Sequence, residues 1–176
     1  MLDILVRIVS SQGQIGEPVN TIIALLRHRR ETLIQHAALL VDVLRTILFA
    51  FKRADCRVAE AALMNRLLHN IANDRSKSGS AFHQAIVKHL PSLLVAFARI
   101  VATSRISTEV RRELKNGLFS ICDLVTAGGR VSSRGREGEA LGDSFGLGEG
   151  NGGEAERDVW ADLWKEWAGK RYTGQG

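Results

Sequence analysis

The stretch that most constrains this chain is residues 88–125, KHLPSLLVAFARIVATSRISTEVRRELKNGLFSICDLV, where apolar residues recur at steps of three and four. This spacing places them along one side of an α-helix. Pro91 suits the first turn of a helix, where its missing N–H removes no hydrogen bond. Ser107 or Thr108 can accept a hydrogen bond from the first turn of the following helix. The stretch therefore predicts two consecutive amphipathic helices, around which the other segments pack.

The second of these helices has a polar side that carries three cations, Arg111, Arg112 and Lys115. Because Leu114 and Ile121 belong to the apolar side, we expect the three charges to face outward. Residues 1–126 hold 17 Lys and Arg against 10 Asp and Glu, so the predicted helical part is basic. Outward cations on a basic protein can bind phosphates or an acidic partner. We predict that these three residues contact RNA or a partner; the alternative is an ordinary solvated helix face.

The segments before residue 88 also show helical periodicity, and strict alternation of polar and apolar residues is missing. A polar stretch over 73–80 predicts a loop. Successive helices with short loops predict an all-α protein of antiparallel helical pairs, either the end of an armadillo-like or HEAT-like solenoid or an irregular bundle. Periodicity does not separate these two. The predicted helices are residues 2–10, 19–28, 31–52, 55–73 with Asp55 as the capping residue, and 81–89.

Composition divides the chain into three parts. Residues 1–126 form the helical body, and residues 127–153 hold ten of the seventeen glycines among Ser and charges of both signs. Such a segment buries too little apolar surface to offset its ordering entropy, so we predict a flexible linker. Residues 154–172 follow as a terminal helix. The apolar stripe in residues 2–10 has nothing before it to pack on, which suggests either the C-terminal piece of a longer protein or a short gene model.

The terminal helix has a strongly aromatic face formed by Trp160, Leu163, Trp164 and Trp167. Large aromatic side chains dominate the energetics of buried surfaces. We predict that this face docks the terminal helix on the helical body. The alternative is an exposed hot spot for another protein.

Motifs of catalysis and of metal or cofactor binding are missing from the sequence. The five histidines lie in separate elements, and GEGNGG at 148–153 follows no strand, so it does not predict a dinucleotide site. Cys56 and Cys122 are too few for a disulfide framework or a zinc site, and we expect both to be small buried or half-buried residues in a reducing compartment. No run approaches the ~20 apolar residues of a membrane span. We expect no catalytic, cofactor-binding or metal site, and a protein that is not an enzyme.

Three parts of the sequence together resemble a known family. Lys88-His89 stands before a leucine-rich helix, Glu109-Val110-Arg111 opens a helix that continues to Leu118-Phe119 and Asp123, and the aromatic face closes the chain. This combination resembles the C-terminal domain of the unhealthy ribosome biogenesis protein 2 family, which processes precursor rRNA in the nucleolus. The likeness is carried by the latter half of the chain, and the first half is compatible with it.

The resemblance implies a non-catalytic helical scaffold in early large-subunit assembly and pre-rRNA processing, located in the nucleus and nucleolus. It implies pre-ribosomal partners: precursor rRNA, a second large helical-repeat assembly factor and a DEAD-box RNA helicase. It implies no membrane and no small-molecule substrate. The alternative from the residues alone is a generic helical module for protein–protein interaction without an RNA role.

Overall fold

The structure is a computed structural model that describes residues 15–53, 56–73, 77–127 and 153–172. These residues form helices without any strand, which confirms the all-α prediction for the part described. The predicted helix at 2–10, the Asp55 cap and most of the predicted linker lie outside these residues. In chain order the helices are α1 Gly16–His28, α2 Arg30–Gln35, α3 Ala37–Ala50, α4 Val58–Ala72, α5 Lys77–Ile86, α6 Pro91–Thr103, α7 Thr108–Ala127 and α8 Glu154–Tyr172.

The first four helices pack in a regular order, each against the helix three places later. α1 packs on α4, α2 on α5, α3 on α6, and α4 on α7, and this last contact is the most extensive. α8 continues one row by packing on α6, so that α3, α6 and α8 lie in succession. This order is what stacked units of three helices would give. None of the described helices is long and apolar enough to cross a membrane.

The contact between α4 and α7 depends on a glycine in the middle of a helix. A Cβ atom at Gly117 would lie 2.9 Å from the Cα of Asn65 and 3.0 Å from a methyl group of Leu68. Nearby, the Asn65 side-chain amide donates a hydrogen bond of 3.1 Å to Glu113. The missing side chain therefore lets the two backbones approach closely, which outweighs the weak helix propensity of glycine.

Several helix boundaries follow the sequence signals. Pro91 opens α6, as predicted. The Ser107 hydroxyl accepts a hydrogen bond of 3.3 Å from the backbone N–H of Val110, so Ser107 rather than Thr108 caps α7. At the start of α4 the Glu60 carboxylate accepts a hydrogen bond of 2.9 Å from the backbone N–H of Arg57. Local side-chain chemistry fixes these three boundaries.

Three other boundaries were wrong. The single helix predicted over 31–52 is broken at His36, where α2 turns toward α5 while α3 follows α6. The helix predicted from residue 19 begins earlier, at Gly16, because Pro18 is tolerated in the first turn of α1. The predicted loop at 73–80 ends earlier, because α5 begins at Lys77 and is held by the buried Phe82. In each case contacts with distant helices decide the local structure.

Candidate functional site

The aromatic face of α8 lies in the interior, against α6 and α7. Its four residues are almost fully buried: Trp160, Leu163, Trp164 and Trp167. The Trp160 and Trp164 rings are stacked with centroids 6.1 Å apart, and Trp164 meets Trp167 at 4.7 Å. We call this contact of α8 with α6 and α7 the α8 seam. The tryptophans are therefore part of the folded body and are not available as an exposed hot spot in this structure.

Asp123 of α7 fixes the C-terminal end of the α8 seam. Its carboxylate accepts a hydrogen bond of 3.1 Å from the Trp167 indole N–H, and Arg171 lies 3.2 Å from the same oxygen. The Arg171 guanidinium also stands 5.1 Å from the centroid of the Trp167 ring. A buried indole N–H needs such an acceptor, and the cation balances the carboxylate. Asp123 thus anchors both an aromatic and a charged group of α8.

Lys115 also belongs to the α8 seam and does not face outward as expected. Its ammonium group lies 2.5 Å from the Glu166 carboxylate of α8, and only 16% of its side chain is exposed. The hydrogen bond from Lys115 holds the pKa of Glu166 below its usual value, and Lys170 adds to the effect. Lys170 lies over the Phe119 ring at 4.3 Å. The sequence could not show this, because Lys115 and Glu166 are far apart in the chain.

Arg111 and Arg112, the other two predicted contact residues, have different surroundings from Lys115 and from each other. Arg112 is exposed. Arg111 is half-buried, and its Nε atom is buried without a hydrogen-bond partner among the described residues. The three cations therefore do not form one outward surface. That they contact RNA or a partner stays a prediction, which now rests chiefly on Arg112.

An acidic residue that the sequence analysis missed fixes the N-terminal end of the α8 seam. Glu156 is 6% exposed, and one of its carboxylate oxygens lies 3.3 Å from the Nε of Arg99 in α6. Its second oxygen is buried and has no hydrogen-bond partner in the described part of the chain. Glu156 precedes Trp160 by four residues and so continues the aromatic stripe. This four-residue spacing is the feature of the sequence from which the burial of Glu156 could have been predicted.

Between α6 and α3 lies an open groove with a volume of about 400 Å³. We call it the α3–α6 groove. Its apolar lining includes Val41 and Phe49 from α3, and Pro91 and Val95 at α6. Phe49 and Val95 are half-buried, so apolar surface remains in contact with water. The groove and the α8 seam thus share α6 between them.

The α3–α6 groove also contains charged side chains. Arg45 pairs with Asp42 at 3.0 Å along α3, and Lys88 and Arg99 line the groove beside α6. Lys88 is exposed and makes no ion pair within the described ranges. Lys88 and His89 belong to the part of the sequence on which the family resemblance rests. The cations therefore outnumber the single acid of the lining.

The cysteines and histidines do not come together as a site. Cys122 is buried, and burial raises the pKa of its thiol. The Cys56 thiol donates a hydrogen bond of 3.4 Å to the backbone carbonyl of Ala50. His69 and His83 bond to Ser120 and to the carbonyl of Ile71, respectively. Within the described ranges no cluster of His, Cys, Asp or Glu has the arrangement of a metal site.

Comparison with known families gives one match, which spans nearly the whole chain. The sequence model of the Urb2/Npa2 family matches residues 2–175. No curated protein and no solved structure matches significantly. The match includes the first half of the chain, for which the residues alone gave only compatible helices. It confirms the resemblance based on residues 88–125 and on the aromatic face of α8, and the chain belongs to the Urb2/Npa2 family of ribosome-biogenesis proteins.

Proposed function

We propose that the chain is a non-catalytic helical scaffold in early large-subunit assembly and pre-rRNA processing, acting in the nucleolus. The observation that carries this proposal is the family match over residues 2–175, since it covers the body and α8 together. A role in ribosome biogenesis follows from the family. The scaffold role is our own step, and it is supported by the arrangement of the helices.

The packing supports a scaffold because it produces a fixed body with usable outer faces. α8 covers one side of α6 with buried tryptophans, and three ion pairs join it to α6 and α7. Between α3 and α6 an open groove remains. A body of this kind can hold partners at set positions while other factors perform the chemistry.

The partners proposed are components of the pre-ribosomal particle: precursor rRNA, a second large helical-repeat assembly factor and a DEAD-box RNA helicase. The exposed Arg112 and the cations of the α3–α6 groove offer positive charge to acidic proteins or to phosphates. Neither a membrane nor a small-molecule substrate has a part in the proposal.

The experiment is localisation and affinity purification of the tagged full-length protein. We expect nucleolar enrichment and co-purification of large-subunit precursor rRNA with assembly proteins. Purification of proteins without precursor rRNA would favour a generic helical interaction module. A diffuse distribution together with the absence of precursor rRNA would contradict the proposal.

A further inference from the structure

We propose that the α3–α6 groove binds an acidic amphipathic helix from a partner protein. This inference deepens the proposed scaffold function and rests on it, because it identifies one of the surfaces that holds a partner. Three features of the structure support it: the shape of the groove, its charges, and α8, the helix that the chain itself places against α6.

The shape of the groove suits a helix. Its lining residues on α3 recur at steps of three and four from Ala38 to Phe49, and those on α6 do so from Ser92 to Arg99. With a rise of 1.5 Å per residue, the α3 wall is about 16 Å long, or roughly three helical turns. Two helical walls with apolar residues between them form the kind of groove that accepts the apolar stripe of a third helix.

The apolar floor favours a protein over RNA as the occupant. Phe49 and Val95 offer surface that an apolar stripe would remove from water. A phosphate backbone has no equivalent apolar face.

The charges of the lining favour acidic residues on the partner. Arg45 and Arg99 are each 43% exposed, although each already has one carboxylate nearby, and Lys88 is exposed. A helix with Asp or Glu beside its apolar stripe would place carboxylates near these cations. Such complementarity selects the partner and speeds its association.

The α8 seam shows that α6 already accepts a helix of this chemistry. Residues 154–167 carry five acidic and two basic side chains beside the tryptophan face. Glu156 of this helix pairs with Arg99, which also lines the α3–α6 groove, and Glu166 pairs with Lys115. An acidic amphipathic helix thus covers one side of α6. The groove offers the other side with the same combination of apolar surface and cations.

The test begins with photo-crosslinking in cells. The full-length protein carries benzoylphenylalanine at Ala38, which is exposed and lines the groove, or at Ala62, which is exposed on α4. We expect Ala38, and not Ala62, to give a crosslink to a protein segment rich in Asp and Glu with apolar residues at steps of three and four. The crosslinked segment is then synthesised and titrated against the whole chain by fluorescence anisotropy.

Charge reversal at the groove completes the test. We expect Lys88→Glu to weaken binding of the synthetic segment about tenfold, since it places an acid against acids. The matched control Arg66→Glu makes the same charge change at an exposed position of α4 and should leave binding within about twofold. Equal melting temperatures of both variants and the parent show that folding is unaffected; if Lys88→Glu melts lower, Lys88→Gln replaces it, with about threefold weakening expected.

Four results would overturn the inference: a crosslink from Ala38 to RNA, a crosslink to α8 of a second copy, a basic or non-amphipathic segment, or no signal above Ala62. Equal binding by the Lys88 variant and the Arg66 control would also overturn it. If the parent still purifies with precursor rRNA in these cases, the proposed function stands and only the groove assignment fails. If the parent does not, the proposed function itself has failed.

Discussion

The contact of α6 with α8 and the groove between α6 and α3 combine similar side chains, but only the first is covered by a helix. On one side, α8 buries three tryptophans and pairs Glu156 with Arg99. On the other side, Val95 and Phe49 stay half-buried beside the exposed Lys88. Both faces combine apolar surface with cations, and only one is covered within the described chain. The difference is that α8 seals its contact with α6, whereas the groove between α3 and α6 leaves apolar surface open to water.

The largest effect is expected from removing an aromatic side chain of the α8 seam. Trp167→Ala should lower the free energy of unfolding by about 3–5 kcal/mol, because it leaves a large cavity. Phe49→Ala in the groove should cost less, about 1–2 kcal/mol, since Phe49 is only partly buried. Urea denaturation followed by circular dichroism measures both values. Equal losses would break the distinction between the two sides of α6.

The contact between α4 and α7 at Gly117 shows what a substitution costs where two helices pack without a gap. Gly117→Ala should destabilise the protein by about 1–3 kcal/mol, because the new methyl group meets the Asn65 backbone. Gly169→Ala is the matched control in α8, where nothing lies within 4 Å of the added Cβ, and it should stabilise by up to about 1 kcal/mol. Thermal unfolding of the two variants separates packing from helix propensity. A stabilising Gly117→Ala would show that the two helices are not in close contact.

Asp123 allows the polar part of the α8 seam to be tested by itself. Asp123→Ala should cost about 1–3 kcal/mol, because it leaves the buried indole N–H of Trp167 without an acceptor. Asp123→Asn should cost less, since the amide oxygen can still accept that hydrogen bond while the charge near Arg171 is lost. Urea denaturation of both variants provides the comparison. If the two losses are the same, the charge and not the hydrogen bond is what matters.

The smallest expected effect is the contribution of Glu166 to the change of stability with pH. Its pKa is lowered in the folded protein, chiefly by the hydrogen bond from Lys115. The stabilisation from Glu166 is therefore complete above its pKa in the unfolded chain, about 4.3. It is lost as the pH falls through the lower pKa of Glu166 in the folded protein. Because Glu166 is 42% exposed, Glu166→Gln should cost only about 0.2–1 kcal/mol at pH 7. Melting temperatures of the variant and the parent should converge as the pH falls below about 4; a constant difference would contradict the assignment.

Helix starts and buried faces that are set by neighbouring residues in the chain could be predicted from the sequence. Pro91 and Ser107 fixed the starts of α6 and α7, and the stripe from Trp160 to Trp167 predicted the buried face of α8. The break at His36 could not be predicted, because it arises from the different partners of α2 and α3. No residue near His36 interrupts the apolar pattern.

The details of the candidate site depended on contacts between distant segments. Lys115 meets Glu166 and Arg99 meets Glu156 only after α8 has docked on α6 and α7. The α3–α6 groove likewise exists only because α3 and α6 are neighbours, although 40 residues separate the end of α3 from the start of α6. Periodicity assigns residues to the sides of a helix, but it does not say which helix lies opposite.

The most direct test of the difference between the two sides of α6 is to place the same charge on each. Leu163→Asp puts a carboxylate in the α8 seam, where the side chain is 1% exposed, and Val95→Asp puts one in the α3–α6 groove. Urea denaturation should show a loss of about 4 kcal/mol or more for Leu163→Asp and about 1 kcal/mol or less for Val95→Asp. A small loss at Leu163 would mean that α8 is not part of the folded body. A large loss at Val95 would mean that the groove belongs to the core and is not open to a partner.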